Sequence, residues 1–181
     1  MTRRAQTGTA AAPGLAAGQM EFRALSPELE GALAAHFDQI RETGEDRTFH
    51  PHPFTAAEAR ARCAYRGRDV YCVAVAGGAV LGYGMLRGWD EGFAVPSLGI
   101  MVAREARGTG LARALMLHLH GEARRRGARR VRLKVYPDNA PAVGLYRSLG
   151  YVFEAELDQG QLVGHVSLDE PPPGSHDRPR R

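Results

Sequence analysis

The alternation of apolar and polar residues predicts that this chain contains both strands and helices. Apolar runs of strand length cover residues 19–25, 70–76, 79–86 and 97–102. Gly77-Gly78 lies between the second and third runs, and a two-residue glycine link between apolar runs is typical of a β-hairpin. The chain up to residue 102 is therefore expected to contribute four strands.

Four other segments carry apolar residues three or four positions apart, which is the spacing of a helix with one buried face. Ser26-Pro27 supplies an N-cap and a first-turn proline for the first helix. The capping box Thr55-Ala56-Ala57-Glu58 begins the second helix. The third helix is expected from Leu111 to Gly127, and the fourth over residues 140–149.

Three further strands complete the pattern. Residues 130–135 alternate apolar with basic side chains, so this strand has one buried and one polar face. The last two strands are expected over residues 151–157 and 161–168, joined at Gln159-Gly160. The order of the elements predicts an α+β fold, in which a mixed sheet of about seven strands is flanked by about four helices.

Composition limits the class of protein. The chain has 181 residues, 44% of them hydrophobic and 24% charged, which is ordinary for one globular domain. We expect that domain to cover residues 19–168, between a disordered leader at 1–18 and a disordered tail at 169–181. Cys63 and Cys72 lack metal-ligand spacing, and no apolar run reaches the length of a membrane span. A cytoplasmic location without a membrane partner is therefore expected.

The net charge of +4 does not by itself predict a nucleic-acid partner. Several arginines lie near the termini, and the basic cluster at residues 124–130 falls at the end of the third predicted helix, where cations complement the helix dipole. His118 and His120 lie on that helix without the partners of a metal site. We expect no nucleic acid, no bound metal, and either a monomer or a homodimer.

The glycine-rich turn between the fourth strand and the third helix is the first candidate for chemistry. It reads Arg107-Gly108-Thr109-Gly110-Leu111-Ala112. First-turn amides of a helix have no partner within the helix and lie at the positive end of its dipole, so they bind anions. The spacing matches neither the dinucleotide motif nor the nucleotide phosphate loop.

The arrangement Arg-x-x-Gly-x-Ala in this turn resembles the pyrophosphate-binding motif of the GCN5-related N-acetyltransferase (GNAT) superfamily. The stretch from Asn139 to Tyr151 resembles a second family motif, N-x-x-A-x-x-L-Y-x-x-x-G-[F/Y]. The resemblance covers roughly residues 20–168 and is strongest over residues 96–157. It implies a twisted mixed sheet, acetyl-CoA as the cofactor, and transfer of an acetyl group to a primary amine.

The resemblance also implies which residues hold acetyl-CoA. The pantetheine arm would lie along the fourth strand, where amides near Ile100, Met101 and Val102 would polarise the thioester carbonyl. The pyrophosphate would be bound by the amides of Gly108, Thr109, Gly110, Leu111 and Ala112. Arg107 or Arg113 would add charged contacts, although a structural role for Arg107 is equally open.

Two residues of the second motif have implied roles. Tyr146 occupies the position of the general acid that protonates the departing thiolate, and its alternative is a buried tyrosine that packs the last helix on the sheet. Asn139 occupies a position that contacts the pantetheine. Asn139 is also well suited to cap the helix that follows it, and the two roles are compatible.

The general base is not identified. Some family members carry a glutamate just before the central strand, but Val95-Pro96-Ser97 has no carboxylate there. His50 and His52, which suit proton transfer near neutral pH, remain as candidates. Asp90 and Glu91 are candidates from the other irregular loop.

The same two loops are expected to form the acceptor pocket. The residues expected there are Phe49, His50, His52, Trp89, Asp90 and Glu91, with Arg132 and Lys134 along the polar face of the adjacent strand. Aromatic platforms suit an amino sugar or a sugar nucleotide, and carboxylates suit a cationic amine such as an aminoglycoside or a polyamine. We expect a small-molecule amine, for example an amino sugar or a sugar nucleotide. The alternatives are a protein or peptide N-terminus and a non-catalytic sensor that binds acyl-CoA.

Overall fold

The computed structural model describes residues 20–47 and 49–169, and the findings below concern these residues. The leader expected at 1–18 lies outside them, as does all but the first residue of the tail expected at 169–181. One seven-stranded sheet runs through the described chain in the order β1-β2-β3-β4-β5-β7-β6. Its strands are β1 (Glu21–Ala24), β2 (Val70–Ala76), β3 (Ala79–Arg87), β4 (Ser97–Val102), β5 (Arg130–Val135), β6 (Val152–Asp158) and β7 (Gln161–Ser167).

Four α-helices flank this sheet: α1 (Glu30–Glu42), α2 (Ala56–Ala64), α3 (Leu111–Arg125) and α4 (Ala140–Ser148). Short 3₁₀ turns precede α1, follow it at Glu45–Arg47, and lead towards α3 at Arg104–Ala106. The Thr55 side chain caps α2 by accepting from the Glu58 amide, as the capping box predicted. The α+β class, with its mixed sheet of seven strands and four helices, is confirmed.

The two faces of the sheet bury separate apolar clusters. On one face, α1 packs Leu33 and Phe37 against Tyr83 and Met85 of β3, and α2 contributes to the same cluster. On the other face, α3 packs Leu115 and its neighbours against the apolar face of β5. Burial of each such side chain contributes about 1.5–3 kcal/mol to the free energy of folding. The sheet therefore has a rigid helix layer on each side.

The contact between β4 and β5 is the exception in an otherwise continuous sheet. All other neighbouring strands are antiparallel, whereas β4 and β5 are parallel and share the single partner pair Ser97↔Arg132. Along its other edge β4 pairs with β3 over six residues, from Arg87↔Ser97 to Gly82↔Val102. Beyond Ser97 the two parallel strands diverge, and a wedge-shaped gap opens inside the sheet.

Candidate active site

Alternate residues of β4 direct their backbone hydrogen bonds to opposite sides of the strand, and this alternation, which we call the parity, determines which amides face the gap. The Ala103 amide donates to the Leu81 carbonyl at 2.9 Å, so the odd-numbered residues of β4 pair with β3. The Arg132 amide donates to the Pro96 carbonyl at 3.0 Å, so even-numbered residues face β5. Where β5 has diverged, the amides of Ile100 and Val102 therefore point into the gap.

This parity corrects one expectation for β4. Met101 was expected to offer its amide to the thioester together with its two neighbours. Met101 is the register partner of Tyr83, and the alternation directs its N–H towards β3. Met101 still lines the cleft, but its amide belongs to the continuous part of the sheet.

The glycine turn presents bare backbone at the start of α3. Gly108 and Gly110 have φ values of +75° and +87°, a left-handed conformation that side chains rarely adopt. A Cβ added at either position would meet no atom within 4 Å, so the space in front of the turn is open. Thr109 supports the turn, since its hydroxyl donates to the Ala106 carbonyl at 2.6 Å. The residues fit a pyrophosphate group at the N-terminus of α3.

Arg107 has structural contacts of its own. Its Nε donates to the Val102 carbonyl at 3.1 Å, and its Nη2 lies 2.7 Å from Glu45. It thereby joins the end of β4 to the turn that follows α1. Arg113 likewise joins two helices, because its Nη1 donates to the Ser148 hydroxyl of α4 at 3.0 Å. Both arginines also line the cleft.

The gap, the glycine turn and the start of α4 open into one cleft of about 1330 Å³. Asn139 lines the cleft and caps α4, since its side chain accepts from the Ala142 amide at 3.3 Å. Tyr146 also lines the cleft and is 8% exposed. Burial raises the pKa of Tyr146 to about 12. Among the described residues the Tyr146 hydroxyl has no hydrogen-bond partner, and its ring packs 5.8 Å from that of Tyr151.

The other end of the cleft is lined by the two irregular loops. Phe49, His50 and Glu91 all line it, the last two with exposed side chains. Phe49 lies directly over β4, where a Cβ at Gly99 would come within 3.0 Å of its ring. The absence of a side chain at Gly99 is what lets this aromatic ring reach the strand.

Three residues expected in the acceptor pocket lie elsewhere. The His52 side chain is 6% exposed, and its Nε2 and Nδ1 lie 2.9 Å from the Tyr83 hydroxyl and the Pro53 carbonyl. Burial lowers the pKa of His52. Trp89 is 6% exposed and belongs to the core beneath α3. Asp90 accepts from the Tyr65 hydroxyl and from the Arg68 amide.

These placements correct the predicted roles. His52 is held inside the aromatic cluster of α1 and the following loop, so it is not available as a base in the cleft. Trp89 and Asp90 fix the loop after β3 to the end of α2, and neither lines the cleft. The composition of the two loops does not distinguish the side chains that turn inwards from those that face the cleft.

Sequence reasoning missed part of the cleft wall. Arg87, at the end of β3, and His165, in β7, line the cleft beside the expected Arg132 and Lys134. The alternation along β5 signalled a polar face there. Arg87 and His165 carry no comparable local signal, because only the register between strands places Arg87 opposite Ser97 and His165 opposite Arg132.

No helix in residues 20–47 and 49–169 is long and apolar enough to cross a membrane. Within the same part of the chain, no group of three or more His, Cys, Asp or Glu side chains could hold a metal ion.

Comparison with known proteins places the chain in a family. Residues 37–151 match the acetyltransferase (GNAT) family. An L-methionine sulfoximine/L-methionine sulfone acetyltransferase from Pseudomonas aeruginosa is 31% identical over 144 residues, which are 76% of this chain and 83% of that protein. Streptothricin acetyltransferase from Streptomyces lavendulae is 38% identical over 82 residues, which are 45% of this chain and 42% of that relative.

Solved structures show the same fold. A GCN5-related N-acetyltransferase from Kribbella flavida has a TM-score of 0.68 and 27% identity, with 82% of this chain and 98% of that chain covered. A protein from Salmonella typhimurium solved with its cofactor acetyl-CoA has a TM-score of 0.66 and 22% identity, with 90% and 99% covered. On these matches the chain belongs to the GNAT family and is an N-acetyltransferase.

Proposed function

We propose that this protein transfers the acetyl group of acetyl-CoA to the primary amine of a small molecule. One observation carries the proposal: the gap beside β4, the glycine turn and Tyr146 share a single cleft. The named relatives acetylate small molecules, methionine sulfoximine or sulfone in one case and streptothricin in the other. The free, buried Cys63 and Cys72 agree with the reducing cytoplasm in which we place the reaction.

The residues that would hold acetyl-CoA divide into two groups. The amides of Ile100 and Val102 lie where a pantetheine arm would add to the exposed edge of β4, as an extended ligand adds to a sheet. The amides from Gly108 to Ala112 lie at the N-terminus of α3, where a pyrophosphate is stabilised. Asn139 and Arg113 also line the cleft. When bound, acetyl-CoA supplies the activated acetyl group.

We assign the general acid to Tyr146. Burial raises the pKa of its hydroxyl to about 12, so the hydroxyl keeps its proton at neutral pH and is able to donate it to a departing thiolate. The hydroxyl has no competing partner among the described residues. It is therefore available to the reacting groups, while its ring is fixed against Tyr151.

His50 and Glu91 are the two remaining candidates for the general base. Both are exposed and line the acceptor end of the cleft. His50→Gln and Glu91→Gln variants, compared over pH 5 to 9, would separate them. Loss of the acidic limb of the kcat/KM profile in one variant alone would assign the base to that residue.

The acceptor is proposed only as a small-molecule amine. The argument for an amino sugar or a sugar nucleotide relied partly on Trp89, which is buried in the core. The argument for a polyamine or an aminoglycoside relied partly on Asp90, which is engaged by Tyr65 and Arg68. Neither class is favoured by the residues that remain in the cleft.

Two measurements test the proposed function. A thiol-release screen with acetyl-CoA should detect turnover with at least one class among amino acids, amino sugars, polyamines, aminoglycosides and short peptides. Turnover with peptides alone would favour a protein N-terminus, and no turnover with any amine would favour an acyl-CoA sensor.

Calorimetry should show at least tenfold weaker acetyl-CoA binding for Gly110→Glu, because a carboxylate and an unfavourable φ enter the phosphate site. Unchanged affinity would contradict this placement.

A further inference from the structure

A row of basic side chains crosses the sheet at the closed end of the gap. In the register of the strands, Arg87 of β3 lies opposite Ser97, Ser97 opposite Arg132, and Arg132 opposite His165 of β7. Residues directly opposite each other project from the same face of a sheet. Arg87, Arg132 and His165, which we call the basic row, therefore share one face around Ser97.

Each member of the basic row has a buried nitrogen without a partner. These are Nε of Arg87, Nε of Arg132 and Nδ1 of His165, and none has a hydrogen bond within the described residues. A buried polar atom without a hydrogen-bond partner is costly, typically by about 1–3 kcal/mol, so native proteins rarely leave one without a ligand or water. Three such atoms in one cross-strand row indicate a polar ligand.

The remaining contacts of the basic row hold its side chains in place. Arg87 uses Nη1 to donate to the Pro51 carbonyl at 2.6 Å. His165 has its Nε2 2.7 Å from the Glu154 carboxylate, which can only accept, so Nε2 carries a proton.

The basic row is distant from the phosphate site. Ser97 and the end of β4 at Val102 are five residues apart, or about 16 Å at the rise of a strand. The cofactor pyrophosphate belongs at the turn beyond Val102, so it would not reach the basic row. Arg130 and Lys134 line the cleft from the same polar face of β5, and the Lys134 ammonium is paired with the Asp158 carboxylate at 2.7 Å.

We propose that the basic row binds a carboxylate of the acceptor, so that the substrate class is an amine that carries a carboxylate, as amino acids do. This inference rests on the proposed function. Neighbouring strands place the Arg87 and Arg132 Cα atoms about 10 Å apart on either side of Ser97, a span that two arginine side chains close easily. The guanidinium is planar, and its Nε and one Nη present parallel donors that match the two oxygens of a carboxylate.

The test compares matched substrates and matched variants. Thiol release is measured with a set of amino acids and with the methyl ester and the carboxamide of each. Wild type should prefer the free acids, and Arg132→Gln and Arg87→Gln should each lower kcat/KM for them by about 10- to 100-fold, with little change for the esters. Arg129→Gln is the matched control, because Arg129 is 81% exposed, pairs with Asp169 and lies outside the cleft. Arg132→Lys should recover only part of the lost kcat/KM, because lysine keeps the charge but lacks the planar guanidinium with its two parallel donors.

A binding measurement separates this inference from the proposed function. Calorimetry with the same amino acids and the protein–coenzyme A complex should show binding to wild type and to Arg129→Gln, and weaker binding to Arg132→Gln. That binding result would support the carboxylate site even if no amine were acetylated. A lack of acetylation would then refute the proposed function and leave the carboxylate site standing. Equal kcat/KM for acids and esters, or equal amino-acid binding by wild type and Arg132→Gln, would overturn the inference.

Discussion

The two edges of β4 differ more than any other two parts of this sheet. One edge pairs with β3 over six residues, and the other shares a single residue pair with β5. Both edges belong to the same six-residue strand, whose sequence is as apolar as a fully paired strand would be. The difference arises because β5 enters the sheet next to β4 and then diverges.

This contrast separates stability from function within one strand. The paired edge places odd-numbered amides in the ladder to β3, beneath the clusters packed by the helices. The open edge, by which we mean the amides of Ile100 and Val102, has no strand to pair with in the part of the chain that the structure describes. A sheet seldom leaves an inner edge unpaired, since such groups are costly to bury without partners. The open edge is therefore where a ligand is expected to add to the sheet.

The largest effect is expected from Tyr146→Phe, which removes only the hydroxyl of a residue that lines the cleft. Turnover should fall by roughly 10²- to 10⁴-fold, the usual contribution of a positioned acid, while acetyl-CoA affinity stays near that of wild type. Tyr151→Phe is the matched control from the core, because the Tyr151 hydroxyl bonds His120 at 2.9 Å. It should lose about 1–3 kcal/mol of stability but keep its turnover. Wild-type turnover in Tyr146→Phe would remove this residue from the mechanism.

Proline substitutions would separate the two edges directly. Met101→Pro deletes an amide of the β3 ladder and should lower the free energy of unfolding by roughly 3 kcal/mol or more. Ile100→Pro deletes an amide of the open edge, so it should weaken acetyl-CoA binding about tenfold with a smaller loss of stability. Ile100→Ala keeps the amide and controls for the lost side chain. Equal destabilisation by the two prolines would show that both edges are paired, contrary to the described parity.

A smaller effect, on the pH dependence of stability, is expected from α1, the helix that packs on β3. His36 of α1 is 3% exposed, and neither ring nitrogen has a hydrogen-bond partner among the described residues. Burial lowers the pKa of His36 to about 4, against a weaker opposing effect of Glu105 and Glu45. The unfolded state therefore binds a proton that the folded state does not, and stability falls as the pH drops from 6.5 towards 4.

Replacement of His36 by leucine should remove that part of the acid sensitivity. Relative to its own stability at pH 7.5, wild type should lose up to about 3 kcal/mol more than His36→Leu by pH 4. Urea unfolding of both proteins across this range measures the difference. Parallel pH profiles would mean that His36 is solvated or paired in the folded protein.

The sequence predicted the fold well because the fold depends on local patterns. Apolar periodicity, the glycine link at residues 77–78 and the capping box each act within a few residues, and all eleven predicted strands and helices occur in the predicted order. The glycine turn and the second motif were found because their spacing is local as well. They pointed to the cleft before any long-range contact was known.

The unpredicted parts of the site depend on contacts between distant residues. His52 is drawn inwards by Tyr83, 31 positions away, and Asp90 is bound by Tyr65, 25 positions away. Arg87 and His165 enter the cleft through the register across β4 and β5. The parity that turns Met101 away from the gap is set by its pairing with β3. No pattern of neighbouring residues encodes these relations.

Amide hydrogen exchange in β4, with and without acetyl-CoA, tests the central claim most directly. We expect the Gly99 and Met101 amides to be protected in both states, because they pair with β3. The Ile100 and Val102 amides should exchange rapidly in the free protein and become strongly protected when acetyl-CoA is added. Protection of Ile100 and Val102 before addition, or no change on addition, would contradict the claim that the open edge of β4 binds the cofactor.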